Sequence, residues 1–419
     1  MMLRGGISKV LGGSSVAEGL RGVSQRGARS FSSSVFSWGN GDDGQLGQNS
    51  IDKSGLRNHY IETTPIVVPG LEGQDVVDVA CGFKHSAAVT ADGRVLTWGK
   101  VESNLLGHDA GGMTDHCLHP RIVSEGLENV KAKQVVAGEN HTAILSDSGD
   151  LFTWGWGGSF FSGAGALGVG DTDGRPHPTR VLIGGDEEIK LKKISAGKNH
   201  MIALGMENEV WSWGRGENGR LGHGGNSDCL EPYPVELFWD LDVKIVDIAC
   251  GHSFNLALDS DGKVWGWGKN DQSQLGLGGG ISMDVYAMED MPRQLESLDE
   301  KKIVKVGAGA AHAVAVTDKG EVYSWGMRLW MEPHLMSALS GERIVSVDCG
   351  NGVSACLNDA GQVFTWGKGY NARQSGVLGH GDTSRHAQPE LVQALASTPI
   401  KKVTCGNRHI LALSGMPQK

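Results

Sequence analysis

Five histidines of this 419-residue chain fall at one place in an internal repeat: His85, His141, His200, His312 and His409. Imidazoles are the usual proton shuttles and metal ligands near neutral pH, so they are the first candidates for chemistry. Their spacing argues against it. Phe254 and Val353 hold the same place in the other two copies, and a catalytic group has no reason to appear once per copy. They read instead as buried histidines bonded to backbone between neighbouring repeats. His116-Cys117-Leu118-His119 offers two or three soft ligands, but no second cluster at zinc-like spacing accompanies it, and no metal is expected. Gly39–Gly44, Gly163–Gly168 and Gly214–Gly219 each match Gly-x-Gly-x-x-Gly. None opens a helix inside a βαβ unit, so they are turns rather than a dinucleotide cradle. No Gly-Lys precedes Ser or Thr, and there is no nucleophile elbow, His-Glu-x-x-His or paired-carboxylate signature. No catalytic residue and no cofactor is expected. The seven cysteines contain no C-x-x-C, and Cys81, Cys250, Cys349 and Cys405 each precede a Gly. That is a small buried side chain in a repeat, kept in a reducing compartment, and not a disulfide framework.

The elements that would position these residues follow from the repeat itself. Seven Trp-Gly pairs begin at Trp38, Trp98, Trp154, Trp213, Trp267, Trp325 and Trp366, separated by 60, 56, 59, 54, 58 and 41 residues. Self-similarity at this period means a solenoid or a propeller. Each later pair closes a short apolar segment such as Gly93–Trp98, and another, such as His85–Val89, lies upstream across an Asp-Gly or similar turn. Two β-branched and aromatic runs joined in this way form a hairpin. Ala and Val occupy both parities of the first strand, so both its faces are buried, as stacking between two blades requires. After most pairs a Gly-rich loop ends in Leu-Gly, a Pro-containing stretch follows, and then another strand such as Val243–Ala249. Four strands without a convincing helix make a propeller blade. The ends complement each other. Val35–Trp38 has no His strand before it, and the strand from His409 has no Trp strand after it. The expected fold is all-β: a seven-bladed β-propeller over residues 35–419, closed by pairing of the N- and C-terminal strands.

Composition excludes several alternatives. The 64 Gly follow no Gly-X-Y period and 39% of residues are hydrophobic, so the chain is neither collagen-like nor disordered throughout. No apolar run approaches the ~18 residues of a membrane span. Residues 1–34 hold Arg4, Lys9, Arg21, Arg26 and Arg29 against Glu18, a charge of +4, so with −10 on the whole chain the remainder carries −14. An acidic body argues against direct nucleic-acid binding. Lys190, Lys192, Lys193, Lys301, Lys302, Lys401 and Lys402 fall near the same strand in several blades and read as a solvated edge. Residues 1–34 are Ser-, Gly- and Arg-rich, with a ragged apolar face and no secretory core. They are expected to be a mitochondrial targeting presequence leading to the matrix, with plastid or cytoplasmic/nuclear placement as the alternatives. Arg29-Ser30-Phe31-Ser32 resembles a processing site for it.

The seven in-phase copies of x-Val-x-x-Trp-Gly resemble the regulator of chromosome condensation family of seven-bladed propellers, across residues 35–419. That family includes a nuclear exchange factor for a small GTPase, the plant ultraviolet-B photoreceptor, ubiquitin-ligase modules and mitochondrial proteins. In the photoreceptor the sensing Trp stand in a Gly-Trp-Arg-His-Thr context. Here the residue after the repeat Gly is Phe83, Glu139, Lys198, His252, Ala310, Asn351 or Asn407, so ultraviolet sensing is not implied. Similarity to the mitochondrial members implies a non-catalytic protein-binding scaffold that assists organellar RNA processing, ribosome maturation or respiratory-complex assembly. Similarity to the nuclear member implies a guanine-nucleotide exchange factor with a small GTPase as partner. No stretch matches the exchange wedge, so no exchange residue is carried over.

Partner contacts are expected where the repeat breaks. Most blades place six residues between Trp-Gly and Leu-Gly, but 156–166 holds eleven and 368–377 holds ten. The first brings Trp156, Phe160 and Phe161, and the second brings Tyr370 and Arg373. After Trp325 the Leu-Gly loop is missing and Met327–Met331 replaces it, while Ser282–Met291 is a Met-rich extra loop. Large side chains on extra loops of a rigid scaffold supply interfaces. Trp156, Phe160, Phe161, Tyr370 and Arg373 are therefore the expected partner-binding residues, the alternative being that they cover their own blade.

Overall fold

The histidine segments are apolar on both faces and too short to stand alone, so each must pair on two edges and be covered on two sides. A computed structural model describes residues 33–48, 60–109, 115–159, 163–185, 188–278, 287–367 and 376–417. In it each blade is a four-stranded antiparallel sheet, running outward as inner strand, His strand, Trp strand and outer strand. Blade 2 shows the plan: Val76–Cys81, His85–Thr90, Val95–Lys100 and His116–Val123. Blades 3 to 6 repeat it, and blade 7 ends it with Ile344–Cys349, Val353–Asn358, Val363–Gly367 and His386–Leu391. Blade 1 is composite. Ile400–Cys405 and His409–Ser414 supply its inner half, and Val35–Asn40 and Ile61–Val67 its outer half. Val35 pairs with Leu413 and Gly39 with His409, which is the expected latch.

Burial follows from stacking blade on blade. The His strands of blades 2 to 7 are buried along their whole length. The Trp of the seven Trp-Gly pairs lie between blades, and Trp38 packs with Val353, Leu357 and Ile410 in one core cluster. Every outer strand carries a proline, from Pro65 in blade 1 to Pro389 in blade 7. A residue without an N–H cannot extend a ladder, so the exposed outer edges are blunted against further pairing.

The ring is closed by backbone. The amide after each repeat Gly donates to a carbonyl of the next blade, from Phe83 to Gly138 at 3.3 Å round to Asn407 and Gly82 at 3.3 Å. Seven such bonds run round the ring. A Cβ on Gly82 would stand 2.9 Å from the Gly138 carbonyl oxygen and 2.5 Å from the His85 ring, so the close approach needs glycine. Farther out, the indole N–H of six of the seven Trp, all but Trp366, donates to the carbonyl just before the preceding blade's Leu-Gly. Trp98 reaches Gln45 at 2.9 Å, Trp154 reaches Leu105 at 2.9 Å and Trp38 reaches Val377 at 2.8 Å.

Candidate protein-binding surfaces

The repeat histidines serve the joints between blades. His85 Nε2 lies 2.8 Å from Thr142 Oγ1, His409 Nε2 lies 2.7 Å from Ser86 Oγ, and His200 Nε2 lies 2.8 Å from Asn255 Oδ1. His312 Nε2 meets Ser354 Oγ at 2.8 Å. The partner is thus a side chain one residue past the next blade's repeat position, and not the backbone expected from sequence. The Thr142 hydroxyl already donates to the Leu105 carbonyl at 2.8 Å, and Ser86 donates to Gln45 at 2.8 Å. Each must therefore accept from Nε2–H, which fixes the neutral tautomer with the proton on Nε2. Burial pushes His85 and His312 down to about 4, and His141, His200 and His409 down to about 3. Where the histidine is absent its partner is absent too: Phe254 precedes a blade with Ala313, and Val353 one with Ile410. His141 alone is mismatched. Met201 stands opposite it, and its buried Nε2 has no partner.

The same seven blades shape the central channel. Its lining comes from all seven inner strands, among them Ala80, Val136, Ser195, Ala249, Gly307, Asp348 and Thr404. Residues after the repeat Gly stand at one end. Phe83 and His252, from blades 2 and 5, meet there with ring centroids 4.8 Å apart and planes tilted by 36°. Lys198 pairs with Glu139 at 3.3 Å, and Asn351 donates to Asn407 at 2.7 Å. Side chains meeting across and between blades narrow this end. The cysteines before these glycines are reduced and buried, and burial pushes their thiols up, Cys250 to about 12. Cys81 and Cys250 donate to the Thr404 and Ser195 carbonyls of neighbouring blades.

Of the residues expected to bind a partner, Phe160, Phe161, Tyr370 and Arg373 lie outside the described residues. Trp156 is half-buried at the base of a small hairpin, Gly158–Ser159 with Gly163–Ala164. That hairpin is tied to blade 4 by the Asp228 carboxylate, which accepts from Ala164 N at 2.7 Å and Gly216 N at 2.8 Å.

The missing Leu-Gly loop of blade 6 is fully described. Met327 and Arg328 take φ of 55° and 54°, and Trp330 pairs directly with Gly326. Two successive residues at positive φ make the tight turn that usually calls for Asn-Gly. With Met and Arg there, each costs of the order of 1–3 kcal/mol. Arg328 N and Nε donate to the Gln272 and Asp271 carbonyls of blade 5, at 2.9 and 3.2 Å. The turn lifts Leu329, 60% exposed, beside Met327, Trp330 and Leu335, which are 37%, 37% and 42% exposed. Trp330 lies flat on the His334 ring, centroids 3.8 Å apart and planes within 3°. The sequence signal was the 41-residue spacing between Trp325 and Trp366.

The His116–His119 segment does not converge, since Cys117 is buried and donates to the His119 carbonyl at 3.2 Å. Among the described residues one trio could hold a metal by distance: His380, His386 and Glu390, with ligand atoms within 4.8 Å. Sequence spacing alone did not reveal it. Burial lowers His386, but hydrogen bonds to Glu390 and Asp382 outweigh this and raise it, so His386 forms ion pairs with these two carboxylates.

The RCC1-like domain model matches residues 34–331, and an RCC1 repeat model matches residues 360–413. The chain belongs to the RCC1-like family. It is 35% identical over 293 residues to the ultraviolet-B receptor UVR8 of Arabidopsis thaliana, covering 70% of this chain and 60% of that protein. It is 32% identical over 301 residues to the RCC1 domain-containing protein RUG3, mitochondrial, of the same plant, covering 70% and 61%. The chain thus spans less than two thirds of these relatives. Among solved RCC1-like structures, human WBSCR16 superposes with a TM-score of 0.76 at 22% identity, over 92% of this chain and 99% of that one. Yeast Prp20p, whose binding to Gsp1p and histones was studied, gives 0.78 at 20% identity over 92% of both. These two share the fold. No described helix is long and apolar enough to cross a membrane.

Proposed function

We propose that this protein is a non-catalytic, mitochondrial RCC1-like propeller that binds other proteins. The observation that carries the reading is the blade 6 hairpin, where a strained turn holds Leu329 and Trp330 out on an otherwise regular ring. Ser103 and Asn104 also take positive φ in succession but present only polar groups, whereas the blade 6 turn presents Leu329 and Trp330, and strain kept at such a turn points to use of the groups it presents. A Trp fixed by stacking on His334 loses little freedom on binding, which suits an interface anchor. The repeat histidines and the four cysteines before the repeat glycines are buried in blade joints, so these chemistry-bearing groups serve the frame. Mitochondrial placement is supported by the relative RUG3 and by the basic, Ser-rich residues 1–34. The processes served, organellar RNA processing, ribosome maturation or respiratory-complex assembly, come from family resemblance alone.

The test joins placement to binding. Residues 1–34 fused to a fluorescent reporter should direct it to mitochondria. Leu329→Ser with Trp330→Ala should keep the melting temperature and lose partners captured from mitochondria, since a buried interface Trp is worth about 2 kcal/mol or more. If the double variant melts early, these side chains pack against their own blade. If it keeps its partners, Trp156→Ala with Phe160→Ala and Phe161→Ala tests the other loop. A cytosolic reporter together with release of labelled GDP from a small GTPase would put the exchange-factor reading first.

A further inference from the structure

We propose that the mouth of the central channel opposite the Phe83–His252 contact docks an acidic peptide segment of a partner protein, one whose carboxylates alternate with apolar side chains. The proposal rests on the reading of the chain as protein-binding, but uses none of the hairpin residues.

The mouth is built by a feature common to all seven inner strands. Pairing to the His strand skips the second residue of every one: between Val76 and Asp78, Ala132 and Gln134, Leu191 and Lys193, and so on round the ring. A bulge of this kind turns the extra side chain out of the ladder. The residues so placed in blades 2 to 6 are Val77, Lys133, Lys192, Val246 and Val304. All five line one depression of about 550 Å³, which shares Gln134, Lys193 and Lys402 with the channel lining. Of the seven lysines that the sequence placed at a solvated edge, Lys192, Lys193 and Lys402 line this depression instead.

The charges there do not cancel. Asp78 is bonded to Lys402, and Asp247 to Lys193, with Lys305 3.7 Å from its other oxygen. Lys133 is exposed and Lys192 donates to Asn208 Oδ1 at 2.6 Å, and among the described residues neither has an acidic partner. Five lysines against two aspartates leave about three positive charges at the mouth of a strongly acidic body. Such a patch attracts carboxylates and is complementary to little else on the molecule.

The apolar half decides what bears those carboxylates. Lys133 and Lys192 stand on neighbouring blades 3 and 4. Val246 and Val304, 45% and 38% exposed, stand on blades 5 and 6. An extended peptide turns alternate side chains to opposite sides, so one strand can present acids to the first pair and apolar groups to the second. A nucleic-acid strand fits less well. No aromatic side chain lines the depression to stack a base, and it holds lysines rather than the forked donors of arginine.

Fluorescence anisotropy on the full chain tests this with a labelled peptide of about 12 residues alternating Glu and Leu, a Lys-for-Glu version, and an oligothymidylate of equal length. The acidic peptide should bind, and lose affinity in roughly 0.5 M salt. Lys133→Glu with Lys192→Glu, both outside the ladder, should keep the melting temperature and weaken binding at least about tenfold. Val246→Ser with Val304→Ser should weaken it less. The Leu329→Ser, Trp330→Ala variant should bind as the parent does, so failure here and failure of the hairpin reading are separable. No binding of the acidic peptide, equal binding of the basic one, or indifference to charge reversal would overturn the proposal. Binding of the oligothymidylate without the peptide would overturn it too.

Discussion

Six blade joints share one outer arrangement and the seventh departs from it. At the joint of blades 1 and 2, the Gln45 carbonyl takes the Trp98 indole at 2.9 Å and the Ser86 hydroxyl at 2.8 Å. At the joint of blades 6 and 7 there is no Leu-Gly loop, and among the described residues Trp366 has no such acceptor. Trp366 is 5% exposed where Trp98 is 0%. The inner half of that joint is nevertheless intact: Ala310 donates to Gly350 at 3.0 Å and His312 meets Ser354 at 2.8 Å. Closure therefore belongs to the inner backbone bonds, which run through all seven joints, with histidine pairs added at four of them. The outer loop is replaceable, and the molecule has replaced it where Leu329 and Trp330 are presented.

The largest expected effect tests the five joints that carry a repeat histidine at once. The ordinary imidazole value is about 6.5, and burial holds the five repeat histidines at about 4 or about 3. Their folded values are depressed, so the unfolded chain binds more protons between those limits. Stability is full above pH 6.5 and falls as pH drops toward 4, by up to about 1.4 kcal/mol per pH unit for each histidine. Melting followed from pH 7.5 to 4.5 should lose several kcal/mol. His312→Phe with Ser354→Ala copies the Phe254–Ala313 joint and should remove about one proton from the slope. An unchanged slope would show that His312 does not titrate as its joint requires.

A smaller effect separates the two kinds of joint. Trp98→Ala deletes a fully buried indole and its bond to Gln45, and should cost about 3–5 kcal/mol. Trp366→Ala should cost measurably less, because no hydrogen bond is lost and the site is already loosened. Urea titrations of both variants compare them directly. Equal losses would mean that the missing loop leaves the joint unweakened.

The ring was legible because its signals are in phase along the chain. Seven Trp-Gly pairs and the complementary ends at Val35–Trp38 and His409–Ser414 imply the blade count and the latch. The joints were half legible. Ser86, Thr142, Asn255 and Ser354 each follow a repeat position, but each serves the histidine of the blade before. That relation appears only when blades are set side by side. Lys192, Lys193 and Lys402 of the channel mouth were misread, and Lys133 passed unnoticed, because a bulge leaves no mark on a six-residue strand. Val76-Val77-Asp78 and Leu191-Lys192-Lys193 show no alternation that would tell which side chain leaves the ladder. Blade 6 announced itself by length alone, and its strained Met327-Arg328 turn carries none of the usual turn residues.

The smallest effect concerns the one joint where the pattern fails. His141 has the same buried position as His85, yet Met201 faces it where Thr142 faces His85, and its Nε2 is left without a partner. A buried ring nitrogen with no partner bears a desolvation penalty that no bond offsets. Phe254 shows that the repeat position accepts a benzyl side chain between the same glycine and an apolar neighbour. His141→Phe should therefore leave stability unchanged or raise it by about 1 kcal/mol. His85→Phe removes a satisfied bond to Thr142 and should lower stability by about the same amount. Chemical denaturation at pH 7.5 reads both without interference from protonation. Opposite signs at two positions of identical burial would show that the side chain one residue past the next blade's repeat position, and not the histidine, sets what each joint is worth. Equal signs would mean that Met201 satisfies His141 well enough for the mismatch to have no energetic consequence.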